Sequence, residues 1–215
     1  MNHEEPSNHE ALPPEHQPQD VDPDGMDEQH EGAPSTPPRI WVASLSDYNN
    51  GIQHGAWIAA AQDEEALQTD IDAVLTASPW TARSGEPAEE WAIHDYDGFG
   101  RLRIDEHESL HWISLVGKGI AEHGLAFAAW ADVVEEEERL ADFGRAYLGH
   151  YNSLHAYVEQ RINDLGYDRI LDEVVPSTIR PYVKIDITRT ANDLLEGSDL
   201  HALPAPDGGV WIFNG

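Results

Sequence analysis

The sequence predicts an α+β fold behind an acidic tail, on three observations. Composition changes sharply near residue 38, three short β-rich runs enclosing one amphipathic helix follow, and helical periodicity then dominates until a last apolar hairpin. Residues 1–38 contain ten acids, eight prolines and no Lys or Arg. Such a segment cannot bury enough apolar surface to offset its chain entropy, so it reads as a disordered tail. Its His3, His9, His16 and His30 read as solvated side chains rather than metal ligands.

The elements follow in order. "RIWVASL" (Arg39 to Leu45) is rich in β-formers, "SDYNNGIQHG" carries an Asn-Gly turn signal, and "AWIAA" resumes as the partner strand, which predicts a hairpin. Asp63 is placed to cap a helix whose Leu67, Ile71, Val74 and Leu75 share one face, ending before Ser78-Pro79. "EEWAIHDY" sets Trp91 and Ile93 against polar neighbours and reads as a third strand, closing a small sheet over that helix. Beyond Arg101 the runs "ESLHWISLVGKGIAEHG", "LAFAAWADVV" and "EEEERLADFGRAYLG" predict helices, the last with Leu140, Phe143 and Tyr147 on one stripe. A further helix is expected over Asn152 to Leu165, with Leu154, Tyr157, Val158, Ile162 and Leu165 inward, and another after Pro181 with Val183, Ile187 and Leu194 on one face. "LHALPAPDGGVWIF" predicts a closing hairpin about a Pro-Asp-Gly-Gly turn.

The charge balance excludes whole classes of partner. With 41 acids against 12 Lys and Arg, a net charge of −29, binding to nucleic acid through its phosphates or to an anionic membrane is electrostatically disfavoured, and the expected partner is a basic surface. Cysteine is absent, so neither disulfides nor thiolate zinc sites are available. The opening "MNHEEPSNHE" has no basic start and no apolar stretch, and no run is long enough to cross a bilayer, so a cytoplasmic protein is expected.

"HESLH" (His107 to His111) matches His-Glu-x-x-His, in which two histidines one helical turn apart ligate zinc and the Glu acts as general base. The alternative reading is therefore a zinc-dependent hydrolase using His107, Glu108 and His111. The longer metzincin pattern fails, because Ser114 and Gly117 stand where Gly and His are required. Surface histidines are the preferred reading, with no metal, no cofactor and no catalytic residue expected. A second alternative is an acidic, solvated domain without a charge-reading partner.

Charge placement is more informative. On the helix after Asp63, Glu65 and Asp72 lie opposite the Leu67/Val74 stripe, seven residues and thus about 10.5 Å apart. Residues 63–82 contain five acids and no Lys or Arg, so no i,i+4 pair relieves the repulsion. From Arg39 onward the chain carries 31 acids and 12 bases, a net −19 that matches about 32 Å of B-DNA. A compact domain of this size spans roughly 40 Å, so the two linear charge densities are comparable.

"WVASLSDYNNGIQHGAWI" followed by "EEWAIHDYDGFG" resembles the N-terminal signature of the ArdA antirestriction proteins, and the similarity continues through "LRIDEHESL" and "VPSTIRPYVKIDITRTANDLL" to the closing hairpin. Asp97 replaces the family's usual Glu, and His107 stands where an aromatic is common. The resemblance implies an elongated protein of three small domains, here 39–100 (α+β), 101–146 (mainly helical) and 147–215 (α+β), acting as a homodimer that mimics bent duplex DNA. It implies occupation of the DNA-binding groove of type I restriction-modification enzymes, in the methyltransferase core of modification and specificity subunits, with protection of incoming mobile DNA. The carboxylates expected to stand in for phosphates are Asp63, Glu64, Glu65, Asp70, Asp72, Glu89, Glu90, Asp95, Asp97, Asp105, Glu106, Glu108, Glu135, Glu136, Glu137 and Glu138. Trp91, Ile93 and Tyr96 are expected to hold the strand, and His94 belongs to the motif without an assigned role.

Overall fold

Three of the predicted elements assemble as expected into the first of two small antiparallel sheets. In a computed structural model, residues 36–134, 136–197 and 200–215 are described. Strand β1 (Arg39–Ser44) lies between β2 (Gly55–Ala59) and β3 (Trp91–Asp97), antiparallel to both. Between β1 and β2 the chain adds a short helix that the hairpin pattern conceals, α1 (Leu45–Asn49), capped by the Ser44 hydroxyl on the Asp47 N–H. Most of the tail lies outside the described residues. Its last residues belong to the fold: Pro38 is buried, and its carbonyl accepts the Ala60 N–H at 2.8 Å.

Ile40, Val42 and Ile58 point to one face of this sheet, where they meet Leu67, Ile71 and Val74 of α2 (Glu64–Thr76), all buried at the i, i+4, i+7 spacing of one helix face. Each such side chain contributes about 1.5–3 kcal/mol of transfer free energy. After α2 a one-and-a-half-turn helix, α3 (Pro79–Ser84), is capped by the Ser78 hydroxyl. Helices α4 (Leu110–His123) and α5 (Leu125–Val133) complete the layer. At Gly117 of α4 a Cβ would sit 2.4 Å from the Ala60 carbonyl oxygen, so only glycine permits this approach of helix to strand end.

The predicted helix through Tyr147 is corrected. A 3-10 turn (Glu137–Asp142) and one helical turn, α6 (Phe143–Ala146), give way at Tyr147 to strand β4 (Tyr147–Tyr151). Leu140 and Phe143 are buried as expected, but β4 pairs with β6 (Val210–Asn214), which also pairs with β5 (Leu200–Pro204) in the order β4-β6-β5. The expected closing hairpin is present as β5-β6, enlarged by one strand.

Helix α7 (Leu154–Asp164) buries Tyr157, Val158 and Ile162. Leu165 is exposed rather than inward, because it falls at the C-cap where the helix face ends. Helix α8 (Tyr167–Val174) stands where sequence patterning predicted nothing, and α9 (Ile187–Glu196) begins six residues after Pro181, leaving Val183 outside it. On the central strand β6, Trp211 and Phe213 join the core built around the first sheet and α4–α6, while Ile212 joins a second cluster with Val158, Ile162 and Ala191. Both faces of β6 are covered, which is why "VWIF" is apolar without alternation.

Candidate partner-binding surface

The motif around residues 89–97 contains a β-bulge. Trp41 pairs with Asp95 and Val42 with Ile93, leaving His94 as the extra residue. The bulge explains why Ile93 and Tyr96, three residues apart, both pair with inward residues of β1 (Val42 and Ile40), and why Asp95 and Asp97 sit opposite Trp41 and Arg39 on the other face. His94 is exposed, and its ring meets Tyr48 of α1 edge-on at 4.9 Å. The Tyr-Asn-x-Gly and Ile-His-Asp-Tyr segments are thus one structural unit.

That outer face is aromatic as well as acidic. Trp41 and Trp57 meet edge to face at 5.7 Å, and the Arg39 guanidinium lies 4.4 Å above the Trp57 ring while donating to Asp97 at 3.0 Å. Asp97 is therefore half-buried and ion-paired, whereas Asp95, Glu89 and Glu90 are exposed. The Ile93 N–H donates to the Glu106 carbonyl at 2.8 Å, which holds the exposed Asp105–Glu106 segment beside β3.

A second acidic group forms around α4. Asp63 occupies the N-cap position of α2, but its side chain makes no capping bond and instead accepts from Lys118 Nζ at 2.5 Å. That hydrogen bond, and then the ammonium charge, hold its carboxyl below the usual range. His111 bridges Glu64 (Nδ1, 3.2 Å) and Glu137 (Nε2, 2.8 Å), joining the start of α2 to the 3-10 turn. Glu137 and Glu138 line a cleft of about 420 Å³ with Lys118 and with Glu122, an acid that charge runs do not single out. Glu65, Asp70 and Asp72 follow along the exposed side of α2, where Asp70 and Asp72 accept from the side-chain amides of Gln62 and Gln68. Glu136 is exposed, Glu108 is half-buried and accepts the Ser109 N–H, and Glu135 lies outside the described residues.

The fifteen predicted carboxylates among the described residues do not share one face. Asp95 and Asp97 point from the sheet surface opposite to that covered by α2, and the α2/α4 group lies on the other side. The local absence of Lys and Arg is also relieved from afar, by Lys118 on Asp63 and Arg39 on Asp97, at 55 and 58 residues' separation.

The His-Glu-x-x-His pattern does not form the zinc geometry. Helix α4 starts at Leu110 with Ser109 as its cap, so His107 and Glu108 precede it, and His111 is engaged by two carboxylates. Among the described residues no group of three His, Asp or Glu side chains is placed to hold a metal.

Sequence reasoning passed over one acid with a marked environment. Asp47 has no exposed surface, and its Oδ1 accepts the Trp80 N–H at 2.8 Å, tying α1 to α3. Burial acts to raise its pKa, but the Ser78 and Ser44 hydroxyls, the Trp80 N–H and the nearby His54 outweigh it and leave the carboxyl below its ordinary value. Asp207, in the β5-β6 turn, is lowered chiefly by the Gly209 N–H.

No helix among the described residues is long and apolar enough to cross a membrane. A family model described as antirestriction protein (ArdA) matches residues 40–204, most of the chain. No curated protein matches it.

Proposed function

Because the chain belongs to the ArdA antirestriction protein family, we propose that it acts as a cofactor-free, non-catalytic mimic of bent duplex DNA, working as a cytoplasmic homodimer. It occupies the DNA-binding groove of a type I restriction-modification enzyme, at the methyltransferase core, and protects incoming mobile DNA. The observation that carries this reading is the set of exposed carboxylates held at fixed spacing on rigid elements of a chain of charge −29. Same-face residues of a strand recur every ~6.6 Å, close to two phosphate steps of ~3.4 Å along one DNA strand; β3 offers this spacing, with Asp95 exposed and Asp97 already paired with Arg39. On α2, Glu65 and Asp72 are about 10.5 Å apart along the axis, close to three such steps. Lys and Arg that would otherwise grip phosphates meet a surface already in place, so association is fast and salt-sensitive.

The test is competition with DNA for a purified type I methyltransferase, measured by fluorescence anisotropy over a salt series. Glu89→Gln, Glu90→Gln and Asp95→Asn in one chain are expected to weaken competition at least about tenfold and to flatten its salt dependence. Asp97 is left intact because Arg39 already holds it. Three neutralised acids in residues 1–35 serve as the control and are expected to cost far less. Equal tolerance at both sets would point to an acidic, solvated domain, and failure of the unmodified protein to displace DNA from a panel of type I enzymes at low salt would end the mimic reading.

A further inference from the structure

The face of the first sheet that α2 does not cover is built in cross-strand rows. One row reads Ala59, Arg39 and Asp97, and the next Trp57, Trp41 and Asp95. Neither tryptophan belongs to either apolar core, and Trp57 is 39% exposed. Tyr48, 60% exposed, stands in the last turn of α1, where its ring meets that of His94, the neighbour of Asp95. A cross-strand pair of tryptophans steadies a hairpin modestly, but that role needs neither an exposed tyrosine nor an open carboxylate beside it.

The first row shows what chemistry this face holds. Arg39 lays its guanidinium 4.4 Å above the Trp57 ring and donates to Asp97 at 3.0 Å, so an indole and a carboxylate grip one arginine together. The second row repeats indole and carboxylate without the cation. Asp95 is exposed, accepts its neighbour's N–H from Tyr96, and pairs with no Lys or Arg among the described residues. Lys would match the charge, but only the planar guanidinium stacks on a ring while its N–H fork engages a carboxylate. Stacked duplex DNA presents no ring faces along its surface, so this contact lies beyond charge mimicry.

We propose that this open face is an arginine platform, on which Trp41, Trp57 and Tyr48 stack guanidinium groups of the partner protein and Asp95 pairs with them. It deepens the mimic reading above and rests on it for the identity of the partner. A division of roles follows. Exposed carboxylates steer the encounter and set its salt dependence, whereas desolvated aromatic contacts hold the bound complex and govern its lifetime.

Two measurements on the full chain test it, with Tyr48→Gln and Trp57→Thr combined in one variant and Tyr48→Phe with Trp57→Phe in another. Both sites are exposed, Gln suits a helix and Thr a strand, so circular dichroism and urea unfolding should show both variants folded. In biolayer interferometry against an immobilised type I methyltransferase, the Gln/Thr variant is expected to dissociate at least about tenfold faster, with on-rate and salt slope within about twofold of wild type. The Phe variant keeps the rings and should stay within about threefold of wild type. By anisotropy, a labelled peptide of alternating Arg and Gly should bind the wild type at least about threefold tighter than its Lys counterpart, and the preference should vanish in the Gln/Thr variant alone. Should that variant unfold, Tyr48→Gln by itself is expected to dissociate at least about threefold faster. Unchanged dissociation in a folded variant, or equal affinity of the wild type for the two peptides, overturns the inference and leaves the mimic reading standing if the wild type displaces DNA. An arginine preference in a wild type that displaces no DNA would sink the mimic reading and keep the platform.

Discussion

Replacing Asp47 by Ala should destabilise the protein far more than removing any exposed acid. The carboxylate is fully buried and accepts the Trp80 N–H at 2.8 Å. A hydrogen bond to a charged group is worth about 1.5–3 kcal/mol, and its loss leaves the Trp80 N–H without that partner. Ser44 and Ser78, which cap α1 and α3, also lose a neighbour that helps to orient their hydroxyls. Against this stands the relief of desolvating a carboxylate whose Oδ2 has no well-aligned donor among the described residues. The net expectation is a loss of about 2–3 kcal/mol, equivalent to a fall in Tm of about 4–12 °C for a chain of this size. The folded pKa is depressed, so the stabilisation is fully present above the unfolded value near 3.9 and is lost as pH falls through the folded value. Urea unfolding of wild type and variant at pH 3 to 8, followed by Trp fluorescence, is the assay. The difference should be constant from pH 5 to 8 and shrink below about pH 4. A Tm change under about 2 °C, or a difference that does not alter between pH 6 and pH 3, would refute the assignment of Asp47 as an ionised latch between α1 and α3.

Two further outcomes are expected. Gly117→Ala gains about 1 kcal/mol of helix propensity, but its Cβ would lie 2.4 Å from the Ala60 carbonyl oxygen, an overlap costing about 1–3 kcal/mol, so Tm should fall; a rise would show that α4 can move off the sheet. After chelation and dialysis against zinc the protein should retain less than one tightly bound zinc per chain and show no peptidase activity, because His107 precedes α4 and His111 is held by Glu64 and Glu137; stoichiometric zinc lost in His107→Ala/His111→Ala would overturn this.

The parts of the fold written in local periodicity were legible. The i, i+4, i+7 pattern of Leu67, Ile71 and Val74 located α2 and its inward face, and β-rich runs located β1, β2 and β3. Tyr147 was misplaced because Leu140, Phe143 and Tyr147 also satisfy a helical spacing. What decides for strand is pairing with Phe213, 66 residues away, which no local pattern records. Helix α8 has an apolar stripe but no buried residue, so the core gives no help in finding it. The acidic surface was legible in composition but not in pairing, since Arg39 on Asp97 and Lys118 on Asp63 come from distant segments. One signal was available and unused: the inward residues Trp91, Ile93 and Tyr96 change parity between 93 and 96, which is the mark of an inserted residue.

That inserted residue bears on how the protein behaves when crowded. Strand β3 forms a border of its sheet, and a flat border with open N–H and C=O groups would template stacking between molecules. Here the His94 kink interrupts the regular ladder, the Ile93 N–H is already taken by Glu106, and Asp95 adds repulsion to any incoming strand. The motif that displays charge thus also guards against fibril-like polymerisation, so straightening the bulge by deleting His94 should show as turbidity and thioflavin signal at high concentration.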